Sequence, residues 1–167
     1  RKKMMLLGRG TFKTTICSIS YPIQQLLVNP NIRILIASET QHLSLAILGS
    51  IKRHLEGERF KSFYGDLVSD KGWRDNEITI KTRSDKALKE PTVGCMGIDT
   101  ARTGSHWDLI ICDDLHSIKN TANSDQIQQV KDFYKLMFSL LEPTPKSRIA
   151  VVGTRWDYSD LYADIEQ

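Results

Sequence analysis

Short apolar runs alternate along this chain with longer segments whose apolar residues recur every three or four positions. Residues 3–7 form an apolar run that predicts a strand leading into a glycine-containing turn. Residues 14–27 read as a helix, which Pro22 is expected to kink or split because it lacks an N–H and its ring crowds the preceding turn. Asn29-Pro30-Asn31 marks a turn, and residues 33–38 read as a short strand buried on both faces. Thr40 is placed to cap a helix carrying Leu43, Ile47, Ile51 and Leu55 at four-residue spacing, with Gly57 closing it.

The middle of the chain is patterned differently. Residues 77–82 alternate Ile78 and Ile80 with polar positions, as a half-exposed strand does, and residues 84–91 are polar and turn-like. Residues 92–97 predict another strand, and residues 108–114 a buried strand that ends in two acids. Asn123 or Ser124 caps a helix with Ile127, Val130, Tyr134, Met137 and Leu141, which Pro143 and Pro145 end. Residues 148–153 read as a last buried strand, and residues 159–167 as the start of a helix. Strands alternating with amphipathic helices predict an α/β fold with a largely parallel central sheet flanked by helices. A strand placed almost at residue 1 and a helix just beginning at the other end give the expectation that the chain is a piece of a longer protein.

Composition narrows this picture without changing it. A chain of 167 residues, 40% apolar and 26% charged, is one ordinary domain, neither disordered nor fibrous. No apolar run approaches the roughly 18 residues of a membrane span, so no membrane association is expected. Cys17, Cys95 and Cys112 are an odd, scattered set and read as reduced thiols. Residues 1–38 hold six basic residues and no acid, while the net charge of the whole chain is only +3. A basic N-terminal third suits an anion site, although chance would also produce it.

Two segments carry the candidate chemistry. Gly8-Arg9-Gly10-Thr11-Phe12-Lys13-Thr14-Thr15 follows a strand and opens a helix, the setting a phosphate-binding loop requires. Its backbone N–H groups and the helix N-terminus would hold a polyphosphate, Lys13 would bridge the terminal phosphates, and the Thr14 hydroxyl would ligate Mg²⁺. The match departs from the strict pattern. Phe12 stands where glycine precedes the lysine, and Gly8 comes one residue late. The second segment is Leu109-Ile110-Ile111-Cys112-Asp113-Asp114, where a buried strand ends in paired carboxylates at the edge where α/β sheets bind ligands. One acid there can hold Mg²⁺ and the next can polarise a water. Together the segments point to a nucleotide site. Gly153-Thr154-Arg155, closing the last strand, then offers a hydroxyl and a guanidinium to sense the terminal phosphate.

These segments, with Ile34-Leu35-Ile36-Ala37-Ser38-Glu39-Thr40 between them and Trp156 following the last, occur in an order that resembles the ATPase domain of the large terminase subunit of tailed bacteriophages. The resemblance covers nearly the whole chain. It implies a P-loop NTPase fold of the additional-strand type, with residues 1–167 as an ATPase domain lacking the extreme N-terminal segment and the C-terminal nuclease domain. It also implies a motor that hydrolyses ATP with Mg²⁺ and drives double-stranded DNA into a procapsid in the host cytoplasm. Its implied partners are a portal protein, a small terminase subunit and further copies of itself in a ring. By the same resemblance Arg9 reaches the γ-phosphate, Asp113 holds Mg²⁺, and Asp114 takes the place of a catalytic acid that is usually Glu. Thr154 and its neighbours couple hydrolysis to movement, and Arg102 is the finger offered to a neighbouring subunit. A helicase-like ATPase, or a module that binds nucleotide without hydrolysing it, are the alternatives.

Other residues carry less. The four histidines, His42, His54, His106 and His116, show no metal-ligand spacing. The run Lys81, Arg83, Lys86, Lys89 is open to two readings, a solvated turn or a track for DNA phosphates. Trp73 and Trp107 are expected to pack rather than to stack on bases.

Overall fold

The computed structural model describes residues 2–117, 119–121 and 123–166. Arg1 of the basic N-terminal set and Gln167 of the last expected helix lie outside them. The expected α/β architecture is present. Six strands form one sheet in the order β1-β6-β5-β2-β4-β3. They are β1 (Lys2–Leu6), β2 (Ile34–Ser38), β3 (Glu77–Ile78), β4 (Val93–Gly97), β5 (Leu109–Asp113) and β6 (Arg148–Gly153). All neighbours pair in parallel except β3, which runs antiparallel to β4.

The two-residue period of a strand sorts the core onto two faces. On one face Ile34 and Ile36 of β2 and Leu109 and Ile111 of β5 pack against helices α1 (Tyr21–Val28) and α2 (Gln41–Glu56). On the other, Leu35, Ala37, Ile110 and Cys112 pack against α4 (Ser124–Leu140) and α5 (Leu161–Glu166). A short helix, α3 (Glu58–Tyr64), follows directly after Gly57. Alternation therefore sends the Asp113 side chain to the α1/α2 face, the side on which the chain leaves β1.

Several elements differ from the sequence pattern. Pro22 does not split its helix. The residues before it form a π-helical turn, Thr15–Ser20, that runs straight into α1, with the proline in the first turn of α1, where a missing N–H costs least. The 77–82 segment keeps only two paired residues, but its burial alternates as a half-exposed strand does, with Ile78 and Ile80 buried between polar positions that are not. Asn123, not Ser124, caps α4 by accepting the Gln126 N–H at 2.9 Å. The buried stripe of α4 includes Phe133 and Leu140, while Leu141 lies past its end. Trp107 is buried, as expected, and Trp73 donates its indole N–H to Glu56 at 2.6 Å.

The starting edge of the sheet is tied by charge. Arg33, at the head of β2, donates through Nε and Nη2 to the two carboxylate oxygens of Asp108, both at 3.0 Å, and through Nη2 to Glu142 at 2.9 Å. The Asp108 carboxylate also accepts the Arg33 backbone N–H at 2.9 Å, so the cluster joins the head of β2 to the residue just before β5.

Candidate functional site

The C-terminal ends of β1, β5 and β6 lie side by side, and three segments distant in sequence meet there. The Leu7 N–H donates to the Gly153 carbonyl at 3.0 Å, and the Asp114 N–H donates to the Val152 carbonyl at 2.8 Å. These two backbone bonds lock the loop after β1 and the acid pair after β5 onto β6.

Lys13 sits at the centre and is only 8% exposed. Its Nζ is 3.0 Å from Asp114 Oδ2 and donates to Thr154 Oγ1 at 2.8 Å. The Thr154 hydroxyl in turn donates to the Leu7 carbonyl at 3.0 Å, so one threonine joins the lysine, the first strand and the sixth. Thr14 donates to Asp113 Oδ1 at 3.3 Å. The expectation that the loop and the acid pair share one edge of the sheet is met.

The loop ahead of the lysine is open. Gly8, Arg9, Gly10, Thr11 and Phe12 are all exposed, and a Cβ at Gly8 or Gly10 would meet nothing within 4 Å. The turn is held by the Thr11 hydroxyl donating to the Gly8 carbonyl at 2.8 Å. Gly10 adopts φ 78° and Phe12 φ 57°. The position where the strict motif has glycine thus does take the left-handed conformation that glycine adopts freely, and Phe12 bears the strain. Thr15 begins the π-helical turn.

Asp113 is 3% exposed and its carboxyl is pushed up to about 6, first by burial and then by the neighbouring Asp114 charge. The hydroxyls of Thr14 and Ser18 and the charge of Lys13 pull the other way. Ser18 went unremarked in the sequence, although it stands four positions after Thr14 on the same helical run, a spacing that places both on one face. Asp114 adopts φ 45°, and its Oδ1 is buried with no hydrogen-bond partner among the described residues. A cleft of about 300 Å³ opens beside this carboxylate, lined by Thr14, Ser38, Leu43, Ile47, Asp113 and Asp114.

These residues fit a magnesium–nucleotide group. A hydroxyl and a carboxylate 3.3 Å apart are hard oxygen donors of the kind Mg²⁺ takes, the rest of its shell coming from phosphate and water. The orphaned Asp114 oxygen faces a need for a hydrogen-bond donor that a water satisfies.

The remaining candidates are placed less centrally. Arg9 stacks over the Trp156 ring, 4.6 Å from guanidinium carbon to ring centroid. Arg155 turns away from Lys13 and donates to Glu166 at 3.0 Å. Arg102 is exposed, in the loop that follows β4 and the short 3₁₀ turn Ile98–Thr100. Two buried aromatic groups that the sequence did not flag brace the site from below. The His116 Nε2 accepts the Leu161 N–H at 3.0 Å, and its ring meets Tyr162 edge-on with centroids 5.5 Å apart. Tyr162 closes against Gly153, where a Cβ would strike its hydroxyl.

No helix of the described residues is long and apolar enough to cross a membrane. No family model matches the chain. Among curated proteins it is 28% identical over 166 residues, 99% of its own length, to "Terminase, large subunit" of Enterobacteria phage T3. It spans 28% of the length of that relative. The resemblance read from the motifs and this similarity over the whole chain thus agree on the large terminase subunit.

Proposed function

We propose that the chain is the ATP-hydrolysing motor domain of a viral large terminase subunit, a P-loop NTPase of the additional-strand type that moves double-stranded DNA into a procapsid. The observation that carries the reading is the meeting of Lys13, Thr14, Asp113, Asp114 and Thr154 at one sheet edge, within 2.8–3.3 Å of one another through Lys13 and Thr14. The position of β6 between the loop strand β1 and the acid strand β5 supports the additional-strand reading.

The roles follow from the contacts. The loop N–H groups of residues 8–15 receive the phosphates, and Lys13 exchanges its Asp114 partner for the terminal phosphate oxygens. Thr14 and Asp113 would hold Mg²⁺, which would supply charge neutralisation for the phosphates. Asp114, released from Lys13, accepts a proton from the attacking water as its oxygen bonds to the γ-phosphorus and the bond to the β-phosphate oxygen breaks, yielding ADP and phosphate. Thr154, bonded to both Lys13 and the Leu7 carbonyl, registers the move of the lysine and passes it to β1 and β6. Arg9 leaves the Trp156 ring for the γ-phosphate, and Arg102 serves the site of the neighbouring copy in a ring. The portal protein and small terminase subunit are the partners this reading supplies, in the host cytoplasm.

Nucleotide binding tests it. With a fluorescent ATP analogue and Mg²⁺, Lys13→Ala is expected to weaken binding at least tenfold and to abolish phosphate release. Unchanged affinity and turnover in that variant would remove the site.

A further inference from the structure

At the opposite edge of the sheet, where β4 begins, a second pocket of about 530 Å³ lies against β3 and the 81–91 loop. It is a built feature. The Lys81 N–H donates to the Leu67 carbonyl at 2.9 Å, and the Thr92 hydroxyl accepts the Ile80 N–H at 3.3 Å. Asn31 Oδ1 accepts the N–H groups of Ser84 and Asp85, both at 3.0 Å.

Arg83 lines this pocket and is 9% exposed. Its Nη1 donates to the Glu90 carbonyl at 2.7 Å, while Nε and Nη2 have no partner among the described residues. Burial, then the nearby charge of Arg33, pushes its pKa below the ordinary arginine value, against the pull of Asp85, Glu90 and Asp108. A guanidinium buried in this way places a fixed positive charge beneath the pocket rather than open donors at its surface.

The surroundings match. Lys71, Lys81, Lys86 and Lys89 line the pocket, all exposed and none in an ion pair among the described residues. The acids there are Asp70, Glu77, Asp85 and Glu90. Two of them are engaged elsewhere, Glu77 with Arg74 at 2.9 Å and Glu90 with Arg33 at 3.6 Å. The excess is therefore positive. A free anion needs donors gathered around one point, whereas exposed lysines spread along a rim suit a ligand whose charges repeat.

We infer that the rim of this pocket grips the phosphodiester backbone of duplex DNA, with the four exposed lysines as the contacts and the Arg83 guanidinium as a fixed positive charge beneath them. The inference rests on the DNA-motor reading above and assigns it a contact surface. ATP is bound at one end of the strands and DNA at the other.

The test is the salt dependence of DNA binding by the full chain, read by fluorescence anisotropy with a 20-bp duplex between about 50 and 200 mM salt. Each phosphate contact contributes about 0.9 to the slope of log affinity against log salt. Lys81→Ala/Lys86→Ala/Lys89→Ala is expected to lower that slope by about 2.7 and weaken binding at least tenfold at low salt. The charge-matched variant Lys119→Ala/Lys131→Ala/Lys135→Ala, on the α4 side, is expected to change it little. Equal effects of the two variants, or none from the first, overturn the proposal. The Arg83 Nε–H resonance in wild-type protein gives the second readout. A shift on adding duplex supports the proposal, and a shift with inorganic phosphate alone, or with neither, overturns it. Phosphate release from ATP without DNA separates this outcome from the motor reading. Hydrolysis with no DNA bound sinks only the pocket, and DNA held by the pocket without hydrolysis sinks only the motor.

Discussion

Two residues at the Lys13 edge of the sheet hold a backbone conformation that L side chains avoid. Phe12 has φ 57° and is 73% exposed, so its ring gains little from burial while its backbone bears the cost of the left-handed region. That cost is about 1–2 kcal/mol for a residue with a Cβ. Phe12→Gly is expected to raise stability by up to about 1 kcal/mol in urea denaturation, part of the gain being lost to the freer unfolded chain. Phe12→Ala, which keeps the Cβ, is expected to show no such gain. Asp114, at φ 45°, is one of the residue types that tolerates this region, a physical reason for a short acid at this position. The lysine, the threonine and both acids were legible because each stands at an element end set by the hydrophobic pattern. The dihedral angles were not, since a departure from the glycine of a motif reads as a defect until the chain is seen to bend there. Arg83 was also misleading. Its neighbours in the run are exposed lysines, but its own side chain is buried and donates to the Glu90 carbonyl, a contact no local pattern encodes.

At the scale of elements, α5 is fastened beneath the site by His116 and Tyr162. Burial holds His116 below its ordinary value, ahead of the opposing influence of Asp160 and Asn120, so in the fold it is neutral and accepts from Leu161. A lowered folded value means that the unfolded chain binds more protons. Stability from this group is present above the unfolded value of about 6.5 and is lost as pH falls through the lower folded value. Asp113, raised to about 6, works in the opposite sense and favours the folded state as pH falls from about 6. His116→Phe should therefore be less stable at pH 7 but show a smaller fall between pH 7 and 5 than the wild type, measured by denaturant melts. An equal fall would remove His116 from the pH response. Gly153→Ala places a Cβ against the Tyr162 hydroxyl and should cost about 1–3 kcal/mol, with partial recovery on adding Tyr162→Leu. The strands and the long helices were readable from periodicity. The π-helical turn before Pro22 was not, because it is settled by packing against α2 and β5, and neither was the short α3, which follows Gly57 with no buried residue to give it a pattern.

For the whole molecule, the sheet separates two edges of different character. The starting edge carries the Arg33 ion cluster and the basic pocket, and the finishing edge carries Lys13 and the acid pair. A ring of such subunits can complete each site from its neighbour, and Arg102, exposed in the loop after β4, is the residue the proposed motor would use. An arginine given in trans is worth about 10³–10⁵ in rate. Arg102→Ala and Lys13→Ala proteins are each expected to be inactive, and mixing them in assembled rings should restore partial hydrolysis. Rings that form on mixing yet release no phosphate would count against the trans role. ATP hydrolysis at the Lys13–Asp114 edge is tested most directly by phosphate release from MgATP by wild type and Asp114→Asn, with nucleotide affinity measured on both. Steady release by the wild type and loss of about a hundredfold or more in the variant at nearly unchanged affinity are expected, because Asn keeps the shape and the left-handed backbone but cannot take the proton. Equal release by the two proteins, or nucleotide bound by the wild type with none hydrolysed even in assembled rings, would contradict this expectation.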